Sequence, residues 1–249
     1  RKWAARSLRR GFGTAGMRAP VGPAAHQMNV LQVTRTTAGV ASWLAARAAE
    51  HRVPHLVPED EAGIGRTLYP QDGPLRVVVG YDARYGSHTF AATTAEVFAG
   101  AGFEVMLLPT PGPTPLIPWL VQNRRMDAGV QITASHNGAA DNGYKVFLAN
   151  GRQLYSEMEA DLEAHIQAVE DPVQVPRVTV RPAGDQLRRY IDEIVSLVTP
   201  GQADLLRVNS ERANLRIIYT ALHGVGGRAM SNAFQFAGFP LAHPVREQQ

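Results

Sequence analysis

Short apolar runs of strand type alternate with amphipathic stretches of helical spacing, and no other feature constrains this sequence as much. Residues 75–81 (LRVVVGY) are β-branched and too continuous to be half-exposed, so they predict a strand covered on both faces. A helix is expected from Ser87, read as its cap, with Phe90, Thr94, Val97 and Ala101 on one side and a stop near Gly100 and Gly102. A second strand follows over 103–108, then a helix opened by Thr114-Pro115 with proline at its tolerated first position, then a third strand over 127–133. Upstream, Val30, Val33, Thr37, Val40 and Leu44 step by three or four and mark one face of a helix. Downstream, Asp141-Asn142-Gly143 and Asn150-Gly151 predict turns on either side of 144–148, hence hairpins at one sheet edge. Ser156-Glu157-Met158-Glu159 reads as a capping box ahead of Met158, Leu162, Ile166 and Val169. The fold class is α/β, a three-layer α/β/α domain with a mixed sheet.

The pattern then repeats in part. LRVV at 75–78 leads through a loop and helix to FAGAGF at 98–103, and LRII at 215–218 leads the same way to FQFAGF at 234–239. This echo predicts the start of a second domain of the same kind, with only its first strand and helix complete. Residues 55–74 and 171–182 read as proline-broken connectors, and Leu187, Tyr190, Ile191, Ile194 and Leu197 mark a helix ended by Thr199-Pro200-Gly201. The division is drawn as 1–185 for the first domain and 186–249 for connector and incomplete second domain.

Composition narrows the chemistry. The 249 residues include no cysteine, which removes disulfide scaffolds, thiolate metal sites and thiol nucleophiles. No apolar run reaches the roughly 18 residues of a membrane span, so no membrane partner is expected. No interleaving of basic and aromatic residues points to nucleic acid. The first acidic residue is Glu50, so the first 49 residues are basic without compensation, a stripe that could meet nucleic acid or a membrane surface or hold a small anionic substrate. The chain lacks an initiator Met, and its start is read as trimmed or mis-started rather than as a targeting address; a cytoplasmic protein is expected.

The candidate chemistry lies in Thr133-Ala134-Ser135-His136-Asn137, where a strand ends and the chain turns. Ser135 could be a nucleophile, with His136 beside it and Lys145 returning from the hairpin. A hydrolase elbow would need glycines two residues before and after the serine, and Thr133 and Asn137 stand there. The competing reading is that Ser135 and Asn137 only make side-chain turns to the backbone. Asp82 and Arg84 are read as a structural pair, the glycines at 224, 226 and 227 as a tight turn, and His223 as structural. His26, His51, His55 and His165 have no ligand spacing.

Four motifs in order carry a resemblance: FGTAGMR at 12–18, GYDAR at 80–84, TASHN followed by DNGYKVF at 133–147, and YTALHGVG at 219–226. Together they resemble the α-D-phosphohexomutases, in the long phosphoglucomutase/phosphomannomutase branch that also holds phosphopentomutases. The resemblance implies that Ser135 is carried as a phosphoserine. It would move phosphate between the C1 and C6 hydroxyls of a hexose phosphate through a bisphosphate intermediate. Mg²⁺ and a sugar bisphosphate activator are implied, Ser135 meeting the metal only through its phosphate. His136 and Lys145 match positions near the transferring oxygen, and Arg18 matches an arginine facing the phosphoserine. Gly138 departs from the family's proline, and Gln27 from its arginine before Met-Asn. The family's metal-binding aspartate loop, sugar-selecting loop and C-terminal phosphate-binding domain lie downstream of every motif here, and no DxDxD occurs. The expectation is an N-terminal part of a phosphosugar mutase, inactive without its C-terminal domains. The alternatives are a truncated mutase-like domain that at most binds sugar phosphates, and a pentose-phosphate substrate.

Overall fold

The computed structural model describes residues 16–52, 73–201 and 203–248. Residues 12–15 of the first motif and most of the 55–74 connector lie outside the described residues.

The first part is built on five strands and four helices. They run β1 (Met17–Pro20), α1 (Val30–Arg52), β2 (Arg76–Tyr81), α2 (Ser87–Gly100), β3 (Glu104–Leu107), α3 (Leu116–Asn123), β4 (Ala128–Ile132), β5 (Asp141–Leu148) and α4 (Ser156–Gln167). The sheet order is β1-β5-β4-β2-β3. β2 pairs in parallel with β3 and β4, whereas β5 runs antiparallel to both of its neighbours. The sheet is mixed, as expected.

Strand periodicity sorts the side chains into two cores. Val77 and Val79 join α1, α2 and α4 through Val33, Leu44, Phe98, Leu162 and Ile166. Val78 faces the other way and joins Ile117, Leu120, Val121 and Phe147 under α3. Each large apolar side chain so enclosed contributes roughly 1.5–3 kcal/mol. Helices on both faces of one sheet make the three layers.

The second part continues with α5 (Leu187–Val198), α6 (Leu205–Ala213), β6 (Ile218–Tyr219), α7 (Gly226–Phe236) and β7 (His243–Pro244). β6 and β7 pair in parallel in a sheet of their own. α5 touches both parts: Tyr190 meets Trp119 of α3 with ring centroids 5.4 Å apart, and the Arg188 guanidinium lies 4.2 Å from the Phe236 ring centre.

Four local expectations are corrected. Ser87 is the first residue of α2 rather than its cap. Gly86 takes that position at φ 79, and the Ser87 hydroxyl donates to Asp82 Oδ1 at 2.6 Å because that carboxylate is the stronger acceptor. Pro115 is the N-cap of α3 and Leu116 its first residue. No capping box forms at α4, where Tyr155 is the N-cap and Ser156 Oγ donates to Glu157. Asp141-Asn142-Gly143 is not a turn but the start of β5, which lies inside the sheet rather than at its edge. Gly143 is needed there because a Cβ would stand 2.5 Å from the Met17 carbonyl oxygen and 2.6 Å from that of Thr133. The Asn150-Gly151 turn does form, with Leu148 N donating to Arg152 O at 2.8 Å.

Candidate active site

β4 ends at Ile132 and the chain re-enters the sheet at Asp141. Residues 133–140 thus form a loop at the carboxyl end of a parallel strand, where α/β sheets present reacting groups. Ser135 sits in this loop at φ 59, in the left-handed region. That conformation costs an L-residue roughly 1–2 kcal/mol. Its side chain is exposed, and its hydroxyl makes no hydrogen bond among the described residues. The side-chain turn belongs to Thr133 instead, whose Oγ1 accepts from Ser135 N at 2.9 Å and donates to Asp82 Oδ2 at 2.6 Å.

Asp82 and Arg84 follow β2, the strand beside β4. Their pairing is found: Arg84 Nε lies 3.1 Å from Asp82 Oδ2. The pair also reaches across to the loop. Arg84 Nη1 donates to the carbonyls of Gly138 at 2.7 Å and Asp141 at 3.0 Å, and Nη2 to those of Ser135 and Asn137, both at 2.8 Å. Buried Asn142 ties the loop's far end, donating to Tyr85 O and Ser87 Oγ at 2.9 Å while its Oδ1 accepts from Gly143 N at 2.7 Å. The structural-pair reading does not extend to these bonds across to the loop, although the Asp82-x-Arg84 spacing at a strand end beside the strand that carries the serine is a sequence signal for them.

Arg18 and Lys145 meet through strand geometry. Met17 and Tyr144 face the α1–α2–α4 core, so Arg18 and Lys145, one residue on in each strand, point to the opposite face. Arg18 Nη1 donates to Asn137 Oδ1 at 3.0 Å, which links it to the serine loop, while its Nε is buried without a partner. Half-buried Lys145 has its pKa pushed below the ordinary lysine value, first by desolvation and then by the Arg18 charge. No hydrogen bond or ion pair engages the Lys145 ammonium among the described residues. Two coupled cations, neither held by a carboxylate among the described residues, form a field that favours an anion.

His136 is exposed, and among the described residues no hydrogen bond joins it to Ser135 or Lys145. Gly138 has open space where a Cβ would stand. Among the described residues no three His, Asp or Glu side chains gather to hold a metal ion. Gly224 lies in the turn before α7, its N donating to Ala221 O at 2.8 Å, whereas Gly226 and Gly227 are the first two residues of the helix and not part of the turn.

The comparisons with known proteins now bear on this arrangement. Residues 54–172 match the family model for phosphoglucomutase/phosphomannomutase, alpha/beta/alpha domain I. The chain belongs to the α-D-phosphohexomutase superfamily. Among phosphohexomutase relatives, a protein of Haemophilus influenzae named "Probable phosphomannomutase" is 36% identical over 78% of this chain and 39% of its own length. Human phosphopentomutase is 29% identical over 96% of this chain and 37% of its own. A phosphoglucomutase/phosphomannomutase family protein of Burkholderia thailandensis shares the fold, with TM-score 0.68 at 18% identity over 96% of this chain and 44% of that one. The chain thus spans under two fifths of the length of these two curated relatives. The matched part of this phosphohexomutase chain holds the Ser135 loop, Asp82, Arg84 and Lys145, while Arg18 lies upstream of it.

Proposed function

We propose that this chain is the part of a phosphosugar mutase that carries the transferable phosphoryl group, on Ser135. One observation carries the reading: a serine hydroxyl is exposed on a left-handed turn of a loop bonded by Arg18, which is coupled to Lys145, and among the described residues no carboxylate engages either cation. In the reaction so proposed, the Ser135 Oγ–P bond breaks as a sugar hydroxyl forms its own O–P bond. The hydroxyl proton leaves to a base, and a proton returns to Ser135 Oγ. Such transfer depends mainly on positioning and electrostatic stabilisation. Arg18 and Lys145 supply cations for the phosphate, Arg18 through a planar fork that fits two phosphate oxygens. Lys145, with its pKa lowered, is the better placed proton carrier, and exposed His136 is the other candidate.

The substrate in this reading is a hexose phosphate whose C1 and C6 hydroxyls exchange the group. The phosphopentomutase relative favours a pentose phosphate as the second reading. Mg²⁺, when bound, would neutralise charge on the phosphate; Ser135 would meet it only through that phosphate. The described side chains do not make an ion site by themselves. A sugar bisphosphate activator, domains beyond those of this chain as partners and a cytoplasmic location belong to the same proposal. No helix among the described residues is long and apolar enough to cross a membrane.

A coupled assay of glucose 1-phosphate conversion, with Mg²⁺ and glucose 1,6-bisphosphate supplied, tests the reading. The 249 residues alone should give no turnover, and addition of the relatives' C-terminal portion in trans should restore it in wild type but not in Ser135→Ala. Equal turnover with Ser135→Ala would overturn the assignment of Ser135. Full turnover by the 249 residues alone would overturn the need for further domains.

A further inference from the structure

Two cationic side chains, Arg84 and Arg18, bond to the serine loop and a third, Lys145, is coupled to Arg18, and the three are not equivalent. A guanidinium has five N–H donors in one plane. At Arg84 all three nitrogens are committed: Nε faces Asp82 at 3.1 Å, and Nη1 and Nη2 each donate to two loop carbonyls. Its charge is matched by Asp82, and both side chains are about 15% exposed (15% and 14%). At Arg18 one bond to Asn137 is made and Nε has no partner. Lys145 has no partner at all among the described residues. Among the described residues, an anion arriving beside Arg18 finds free donors on Arg18 and on the coupled Lys145, and none on Arg84.

The four carbonyls held by Arg84 belong to Ser135, Asn137, Gly138 and Asp141. Together they bracket the loop from the serine to the first residue of β5. Asp82 sets the guanidinium plane through Nε and accepts from three further donors: Arg84 N at 3.0 Å, Ser87 Oγ at 2.6 Å and Thr133 Oγ1 at 2.6 Å. One carboxylate at the end of β2 thereby fixes the start of α2, the plane of Arg84 and the residue two before the serine.

We propose that Asp82 and Arg84 are positioning residues that hold Ser135 in its left-handed conformation for phosphoryl transfer, and that Arg84 is not a phosphate ligand. The inference rests on the mutase reading for its kinetic consequence but not for its structural one. A lysine at position 84 keeps the charge and loses the fork, since three donors on a flexible stem cannot span four carbonyls and a carboxylate. A displaced reacting group loses rate rather than affinity, on the order of 100-fold for a misplacement near 1 Å.

The test uses Arg84→Lys and Asp82→Asn in the full chain, with two readouts. Amide hydrogen exchange follows Ser135, Asn137 and Asp141 against β2 and β4. Both variants should speed exchange at those three amides about tenfold or more and leave the strands protected. Kinetics in the reconstituted mutase assay should show kcat falling on the order of 100-fold with KM for glucose 1-phosphate nearly unchanged. Arg18→Lys should instead raise KM. Unchanged exchange in both variants would overturn the clamp. A raised KM at unchanged kcat for Arg84→Lys would make Arg84 an anion ligand and overturn the proposal from the other side. If wild type gives neither turnover nor phosphorylation by glucose 1,6-bisphosphate, the mutase reading fails while exchange still decides the clamp. Should Arg84→Lys melt globally, Asp82→Asn carries the same exchange measurement.

Discussion

The units β2–α2–β3 and β6–α7–β7 are written in nearly the same local code and end in different environments. Both run strand, helix, strand, with the strands in parallel. Both helices stop at a left-handed glycine, Gly102 at φ 86 and Gly238 at φ 75. In each, the phenylalanine after that glycine donates its amide to the phenylalanine five residues back, at 3.0 Å for Phe103 to Phe98 and 2.9 Å for Phe239 to Phe234. Their rings meet at 5.1 Å and 5.7 Å. Yet Val78 in β2 is fully enclosed, while Ile218 in β6 is 78% exposed. The helix stop is therefore a local property, since glycine tolerates the left-handed residue and the aromatic pair closes over it. Burial is not local. It comes from β4, β5 and α3 in the first unit, and among the described residues the second unit has only the single strand pair β6–β7.

The widest gap between the two units should appear on charge insertion. Val78→Asp places an unpartnered carboxylate in a closed core and should cost about 4 kcal/mol or more. Ile218→Asp should stay within about 0.5 kcal/mol. Urea denaturation of this chain measures both, and equal losses would break the comparison.

The loops that follow the strands extend it. The loop after β6 holds two left-handed residues, Leu222 at φ 47 and His223 at φ 61, whereas the loop after β4 holds Ser135 alone. Ser135→Gly should be more stable than Ser135→Ala by roughly 1–2 kcal/mol, because glycine accepts the left-handed backbone without strain. A stability gain that accompanies loss of the hydroxyl would mark the serine as kept for function rather than for folding. Equal stability of the two variants would show that the turn is unstrained.

How far the sequence reading reached follows from the same contrast. Strand and helix types were legible because Val77, Val78 and Val79 are continuous and Val33, Val40 and Leu44 are periodic. The glycine stops were legible because they are local. Asp141-Asn142-Gly143 misled because turn composition and close strand approach both call for glycine. Only the position of Met17 and Thr133 across the sheet decides between them. Ser135 and Lys145 are legible as candidates from the strand end they adjoin, Arg18 only by resemblance; the structure places them in the loop after β4, in β5 and in the neighbouring β1. The carbonyl clamp is legible only at its donating end, in the Asp82-x-Arg84 spacing, since hydrogen bonds to backbone oxygens leave no residue-type signal at the accepting end.

The smallest effect concerns Lys145. Burial and the Arg18 charge lower its pKa in the folded chain, so the unfolded chain binds the extra proton between that value and the ordinary 10.5. Stability must then rise with pH across that window, because the folded state is the one that has already released the proton. Lys145→Gln should be more stable than wild type near neutral pH, and the gap should narrow as the pH approaches 10.5. The side chain is half-exposed, so solvent screening keeps the effect small. A gap that does not change with pH would mean that the cation pair is not felt by the fold.

The most direct test of the central claim is to incubate the protein, reconstituted with the relatives' C-terminal portion and Mg²⁺, with glucose 1,6-bisphosphate and map the phosphorylated peptide. Phosphate should reside on Ser135, be absent in Ser135→Ala, and appear more slowly in Arg84→Lys. Phosphate on another residue of a protein that turns over sugar phosphate, or turnover undiminished by Ser135→Ala, would contradict it.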